Sequence, residues 1–339
     1  MNTIATDALA HITSFLDTKE QAQMMSLDRS SHTALRTRIA WQMVIFSNPL
    51  NGPTYGRIRK LVVIGNLQPF PIETATSKVL SVRHLVVRNN HSCNSNNIIL
   101  WPPGIHTLDV INCLAFDQTA PQGIHTFRVS RCRAFNQTAP QGTHTFEVSE
   151  CHAFNQTAPQ EIHKTALQGT HTFKVYYCPT FNQTAPQGTH TFEVYDCRVF
   201  NQTAPHGIHT FAVSYCDAFN QTAPQITHTF KVSGCPTFNQ TASQGTHTFE
   251  VSLCNTFNQT ASQGTHTFLV SGCRAFNQTA PQGIYTFSVT GCRAFNQTAP
   301  QGTHTFSVTG CYDFNQTAPQ GTHTFSVTDC RAFNQMNHE

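Results

Sequence analysis

Histidine, cysteine and asparagine are the residues of this 339-residue chain best suited to chemistry, and all three recur at one fixed spacing. Twelve of the thirteen cysteines, from Cys113 to Cys330, stand once per repeat at one position. Eleven histidines, from His106 to His323, stand immediately before a threonine, with Tyr285 in the same place in one copy. Asn-Gln-Thr occurs ten times, from Asn136 to Asn315. Thiol pairing, imidazole ligation of metal and N-glycosylation are the chemistries these types suggest. Their arrangement argues against each. A ladder of equivalent cysteines is not a pairing framework, and in a reducing compartment such thiols are expected buried, free and inert. Zinc needs ligands converging in tetrahedral geometry, which a flat single file of imidazoles supplies poorly. Sequons meet the glycosylation machinery only on a secretory route. Near-identical repeats place no isolated acid, base and nucleophile in one pocket. The expectation is therefore no enzyme, no cofactor and no metal.

The element that must position these residues is a 19-residue unit. Phe-Asn-Gln, written Phe-Asp-Gln at Phe116, returns at a step of 19 up to Phe333, with one longer step from Phe154 to Phe181. A fixed period of this size means a solenoid in which each coil touches only its neighbours. Ile124-x-x-Phe127-x-Val129-x-x-Cys132-x-x-Phe135 fits the leucine-rich template with phenylalanine where leucine is usual. Phe-x-Val alternation puts both side chains on one face of a short strand. About seven residues, Asn-Gln-Thr-Ala-Pro-Gln-Gly, remain for the return, too few for a useful helix, so it is expected extended or turn-like with proline and glycine at its corners. Stacked in register, the two phenylalanines, the valine and the cysteine of each coil form the core, and the asparagine after the second phenylalanine forms a ladder.

Two earlier runs, Ile58-x-x-Leu61-x-Val63-x-x-Asn66 and Val82-x-x-Leu85-x-Val87-x-x-Asn90, fit the same template and bring the array to 14 coils. Glu161 to Gln168 reads as an interrupted coil, expected as a bulged loop on the return side. The chain divides into a helical leader over 1–47, degenerate coils over 48–104 and tandem repeats over 105–335. In the leader, Leu9, Ile12, Phe15 and Leu16 stand at helical spacing, Thr18 and Gln21 form a capping-box pattern, and a third helix from near Asp28 carries Leu35, Ile39 and Trp41.

Charged residues are 11% of the chain and the net charge is +3, which leaves no strong footprint for nucleic acid or an anionic membrane. No apolar run reaches membrane-spanning length, and MNTIATDALAHITSFL lacks the features of a signal peptide, so an intracellular, cytoplasmic protein is expected. The coils differ mainly at outward positions. The first outward strand site reads Asp109, Arg128, Glu147, Lys174 and Glu193 early, then Ser288, Ser307 and Ser326. The strand exit reads Arg131, Glu150, Tyr177, Asp196 and Tyr215, then Gly272, Gly291 and Gly310. Charged and aromatic side chains on a sheet face are what a recognition surface uses. Arg128, Arg131, Arg133, Glu147, Glu150, Lys174, Tyr177, Glu193, Asp196 and Tyr215 are the expected contacts for a protein client, against the alternative of drift on a solvated face. A Thr-x-Thr array such as Thr143-x-Thr145 would suit ice binding, but Ile124, Ile208 and Ile284 break it.

Leu9-x-x-Ile12-x-x-Phe15-Leu16-Asp17, followed by Leu27-Asp28-Arg29-Ser30-Ser31 and Leu35, resembles an F-box over roughly 40 residues. The resemblance implies docking, through Leu9, Ile12, Phe15, Leu16, Leu27 and Leu35, on a Skp-type adaptor and so on a cullin-based ubiquitin ligase. The Phe-Asn-Gln recurrence over 105–335 resembles the FNIP repeats found beside F-box domains in amoebae and in the giant viruses that infect them, which would place a viral copy in the host cytoplasm. Together these imply an F-box-like α-helical leader followed by a right-handed β-solenoid, leucine-rich-repeat-like, with a parallel sheet on one side and a turn-like return. The implied role is substrate recognition for an SCF-type ubiquitin ligase. Two other readings stand beside it: a non-catalytic scaffold or decoy whose leader is only a cap, and a secreted, glycosylated adhesive solenoid. At the C-terminal end, with no capping helix expected, the last strand around Phe325 and Val327 should fray or drive end-to-end self-association.

Overall fold

A Thr-Phe-x-Val-x pentapeptide, ending in serine, threonine or tyrosine, turns its phenylalanine and valine inward and the others outward, and each copy forms one strand of five residues with that alternation. The computed structural model describes residues 41–46, 58–64, 82–90, 101, 104–158 and 170–336. The chain forms two compact units, 1–145 and 146–339, and each is a parallel β-solenoid.

In the first unit, β1 (Trp41–Phe46), β2 (Ile58–Ile64), β3 (His84–Arg88), β4 (Thr107–Ile111) and β5 (Thr126–Ser130) pair in sequence order, all parallel. Leu61, Leu85, Leu108 and Phe127 fall in one row and Val63, Val87, Val110 and Val129 in another. The two degenerate coils therefore share the register of the regular ones. Strand β1 corrects the sequence reading, which assigned Trp41 to a helix. Trp-Gln-Met-Val-Ile-Phe is rich in aromatic and β-branched residues, and the open edge of β2 offers it a ladder of backbone partners that a short helix lacks. The helices expected around Leu9, Ile12, Phe15, Leu16, Leu27 and Leu35 lie outside the described residues.

The second unit holds β6 (Thr145–Ser149, apart from its first residue), β7 (Thr172–Tyr176), β8 (Thr191–Tyr195), β9 (Thr210–Ser214), β10 (Thr229–Ser233), β11 (Thr248–Ser252), β12 (Thr267–Ser271), β13 (Thr286–Thr290), β14 (Thr305–Thr309) and β15 (Thr324–Thr328), again in sequence order. Equivalent residues pair: Phe230 lies opposite Phe249 and Val232 opposite Val251. Two phenylalanine columns result. Phe173 stacks on Phe192 at 5.3 Å, Phe181 on Phe200 at 5.7 Å, and Phe173 meets Phe181 edge-on at 5.9 Å. Each ring thus has a parallel neighbour in the next coil and a perpendicular one in its own, both favoured by the ring quadrupole. Burying one ring contributes about 2 to 3 kcal/mol, so stability grows with the number of stacked coils.

Two further inward positions complete the core and were not foreseen. The alanine before the corner proline is buried, as at Ala185, and so is the first threonine of Thr-x-Thr, as at Thr143, or the isoleucine that replaces it at Ile124, Ile208 and Ile284. Thr143 Oγ1 donates to the carbonyl of Pro140 at 2.8 Å, so this threonine is turned inward and is unavailable to an ice-binding face. Its own N–H donates to the same carbonyl at 3.3 Å and closes a turn with Gly142 at φ +78°, the value a type II turn needs at its third residue. The expected asparagine ladder is present: the Oδ1 of Asn182, Asn201, Asn220 and Asn239 each accepts the backbone N–H of the next coil's asparagine at 2.9 Å.

The interrupted coil's bulge lies outside the described residues, but the coils either side of it stack normally. Phe146 meets Phe173 at 5.5 Å and Phe154 meets Phe181 at 5.6 Å. At the other end the expectation of no helix is corrected: α1 (Arg331–Met336) follows β15. It brings Phe333 to 6.1 Å from Phe314 and 6.3 Å from Phe325. The phenylalanine column makes this helix worthwhile, because Phe333 continues it by one more ring. Phe325 and Val327 stay half-buried, whereas their equivalents in β14 are fully buried. Among the described residues no helix is long and apolar enough to cross a membrane.

Candidate binding surface at the strand exits

Twelve cysteines, Cys113 to Cys330, are buried thiols outside any disulfide among the described residues. Each sits two residues past the last residue of its strand, with its thiol directed at backbone: Cys197 Sγ lies 3.5 Å from the carbonyl of Tyr195 and 3.8 Å from that of Val175. Burial pushes the thiols up, to about 12 at Cys197 and about 11 at Cys273, so thiolate is scarce at neutral pH. Cys113 is the exception, its thiol held down by a hydrogen bond with Cys132.

The imidazoles form two stacked columns. Ring centroids are 4.4 Å apart for His106 and His125 in the first unit, and 4.4 to 4.7 Å apart from His171 through His266 in the second, where Tyr285 continues the stack. Each Nδ1 lies near its own coil's threonine hydroxyl, as at 3.1 Å for His209 and Thr210. Two nitrogens held by one zinc must approach to roughly 3.4 Å on lone pairs that converge. Parallel rings at the observed separation direct theirs side by side. Among the described residues no group of three His, Cys, Asp or Glu is placed to hold a metal.

The client-contact residues expected from sequence fall on both units. In the first, Asp109 Oδ2 pairs with His84 Nε2 at 2.7 Å and its Oδ1 with Arg128 Nη1 at 3.5 Å, while Arg131 and Arg133 are exposed. In the second, Lys174 Nζ lies 3.0 Å from Glu193 Oε2, and Tyr176 donates its hydroxyl proton to the same oxygen at 2.8 Å. Burial and that carboxylate hold the Tyr176 phenol protonated well above its ordinary range. Glu147, Glu150 and Asp196 are half-buried, and Tyr177 and Tyr215 are exposed.

Two residues that the sequence reading missed complete this patch. Tyr176 and Tyr195 occupy the strand's last outward site, where the following coils carry serine or threonine. Tyr195 is the hub: its ring meets Tyr177 at 5.1 Å, Tyr215 at 5.1 Å and Tyr176 at 6.4 Å, all edge-on. The available signal was the same period-two alternation that located Lys174, applied one site further along.

The exit position also has a backbone requirement that composition alone did not reveal. Arg131, Glu150, Tyr177, Asp196, Tyr215 and Leu253 all have φ between +49° and +57°, and Gly234, Gly272, Gly291 and Gly310 occupy the same place at +61° to +63°. A side chain in this left-handed region costs roughly 1 to 2 kcal/mol relative to glycine. Glycine also makes room for its neighbour: a Cβ at Gly234 would fall 2.7 Å from the Tyr215 ring, and one at Gly272 would fall 2.9 Å from Leu253. The exits thus form a ridge in which large side chains lean over the glycine of the next coil. No family model, curated protein or solved structure matches this chain.

Proposed function

We propose that the chain is a non-catalytic recognition subunit of an SCF-type ubiquitin ligase, its F-box-like segment engaging a Skp-type adaptor and the outward face of its solenoid engaging a protein client. The observation that carries the client half is the exit ridge. Glycine is the unstrained residue at that site, yet Glu150, Tyr177, Asp196 and Tyr215 stand there in consecutive coils of the second unit. Drift toward lower energy would favour glycine, so the retained side chains argue for use. The adaptor half rests on the residues Leu9, Ile12, Phe15, Leu16, Leu27 and Leu35 and their resemblance to an F-box, and FNIP-type repeats beside them fit the same assignment. The asparagine ladder weighs against a secreted, glycosylated protein, because the sequon asparagines are half-buried and the amide oxygens from Asn182 through Asn296 are engaged within the stack.

The scaffold or decoy reading has one observation in its favour. Strand β1 takes Trp41, which the expected third helix of the leader would have carried. Co-purification separates the two. The wild-type chain is expected to retain a Skp-type adaptor, and Leu16→Arg or Ile12→Asp to lose it with the solenoid's circular dichroism unchanged. Equal retention by wild type and variants, or none by wild type, would remove the ligase assignment and leave the scaffold.

A further inference from the structure

We infer that the Tyr177, Tyr195 and Tyr215 ridge binds an extended, cationic peptide segment rich in arginine and lysine. This deepens the client half of the proposed function and rests on it. Three observations on the second unit combine. The rings form a continuous row, 5.1 Å from Tyr177 to Tyr195 and 5.1 Å from Tyr195 to Tyr215, with Tyr177 48% and Tyr215 44% exposed. Edge-on packing braces each ring against its neighbour, and the exposure of Tyr177 and Tyr215 leaves aromatic surface that a cation can reach.

Charge gives the second observation. Across the described residues of 146–217, five carboxylates (Glu147, Glu150, Glu193, Asp196 and Asp217) face two cations (Lys174 and Arg198), a net charge of −3 in a chain whose total is +3. Glu193 is already held by Lys174 and Tyr176 and acts as a brace. Glu150 and Asp196 stand at the same strand-exit site as Tyr177 and Tyr215, so carboxylates and rings alternate along one line. An acidic line interleaved with tyrosines complements guanidinium and ammonium groups and repels an acidic partner.

The third observation sets the shape of the occupant. The ridge carries one side chain per coil at the exit site, and the next coil offers Gly234 against the Tyr215 ring. A peptide lying along the row can place successive long cationic side chains over rings and beside carboxylates; a folded partner would need a matching groove.

Fluorescence anisotropy on the full chain tests this, with a labelled twelve-residue Arg/Lys/Gly/Ser peptide and its Glu/Asp counterpart as probes. The basic peptide is expected to bind, more weakly as salt rises, and the acidic one not to bind. Tyr177→Gly with Tyr215→Gly removes two rings while installing the residue found at Gly234 and Gly272, so folding is retained and affinity is expected to fall about tenfold. Tyr195→Ser, which leaves both left-handed sites untouched and copies Ser214, is expected to weaken binding several-fold. Glu150→Gln with Asp196→Asn should flatten the salt dependence. Equal binding of the two peptides, or unchanged affinity in both tyrosine variants, would overturn the assignment. Adaptor retention measured on the same proteins separates the failures: peptide binding absent with adaptor retained overturns the ridge alone.

Discussion

Ile226 shows how strictly a coil constrains single residues. Every other described corner of this kind carries glycine, at φ +75° to +84°, whereas Ile226 holds +62° with 73% of its surface exposed. A β-branched side chain is a poor occupant of the left-handed region, and here it gains little by packing. Ile226→Gly is therefore expected to raise stability by about 1 kcal/mol, the relief of strain less the added freedom of the unfolded chain. A urea titration would check it, and a lowered midpoint would show that Ile226 makes contacts worth more than its strain. At this scale the sequence was readable where a residue type repeated without exception, as for the buried Cys113 to Cys330 and the asparagine ladder. It was unreadable where the constraint acts on the backbone. Gly272 and Tyr177 look like unrelated choices until both prove to have positive φ.

Elements were legible through alternation. Phe-x-Val located the strands of every regular coil, and the short return excluded a helix there. Trp41–Phe46 failed because six residues of mixed apolar character suit a helix or a strand equally until a neighbouring edge decides. A Thr-x-Thr array would face solvent, but its first threonine is buried, with its hydroxyl on a turn carbonyl at Thr143, Thr227 and Thr303 and without a partner at Thr189, Thr246 and Thr265. The histidine column carries a prediction that belongs to this scale. The imidazoles of His125, His209 and His247 are held below their ordinary pKa, first by burial and then by the neighbouring imidazoles. A group whose folded pKa is lowered binds fewer protons folded than unfolded. Its stabilising effect is whole above about pH 6.5, the ordinary histidine value, and is lost as pH falls below it. The urea midpoint is expected to drop between pH 7.5 and 5.5, and His209→Gln with His247→Gln to reduce that drop. A midpoint that holds steady over this range would mean that the stacked rings take up protons as readily as free ones.

For the whole molecule, the period decided the architecture before any single residue was interpreted, because near-identical coils can bury their phenylalanines only by stacking. The proposed client surface was half legible: Glu150, Lys174, Tyr177, Glu193, Asp196 and Tyr215 were singled out as departures from the repeat, and Tyr176 and Tyr195 were missed because the strand's last outward site was not followed along the array. In the proposed function one chain joins a ligase adaptor to a client. A bridging assay tests it most directly: Skp-type adaptor is fixed to a sensor surface, the full chain is passed over it, and the basic peptide follows. Retention of the chain and then of the peptide is expected for the wild type, loss of both for Leu16→Arg, and loss of the peptide alone for Tyr177→Gly with Tyr215→Gly. A surface that retains no wild-type chain would contradict the account.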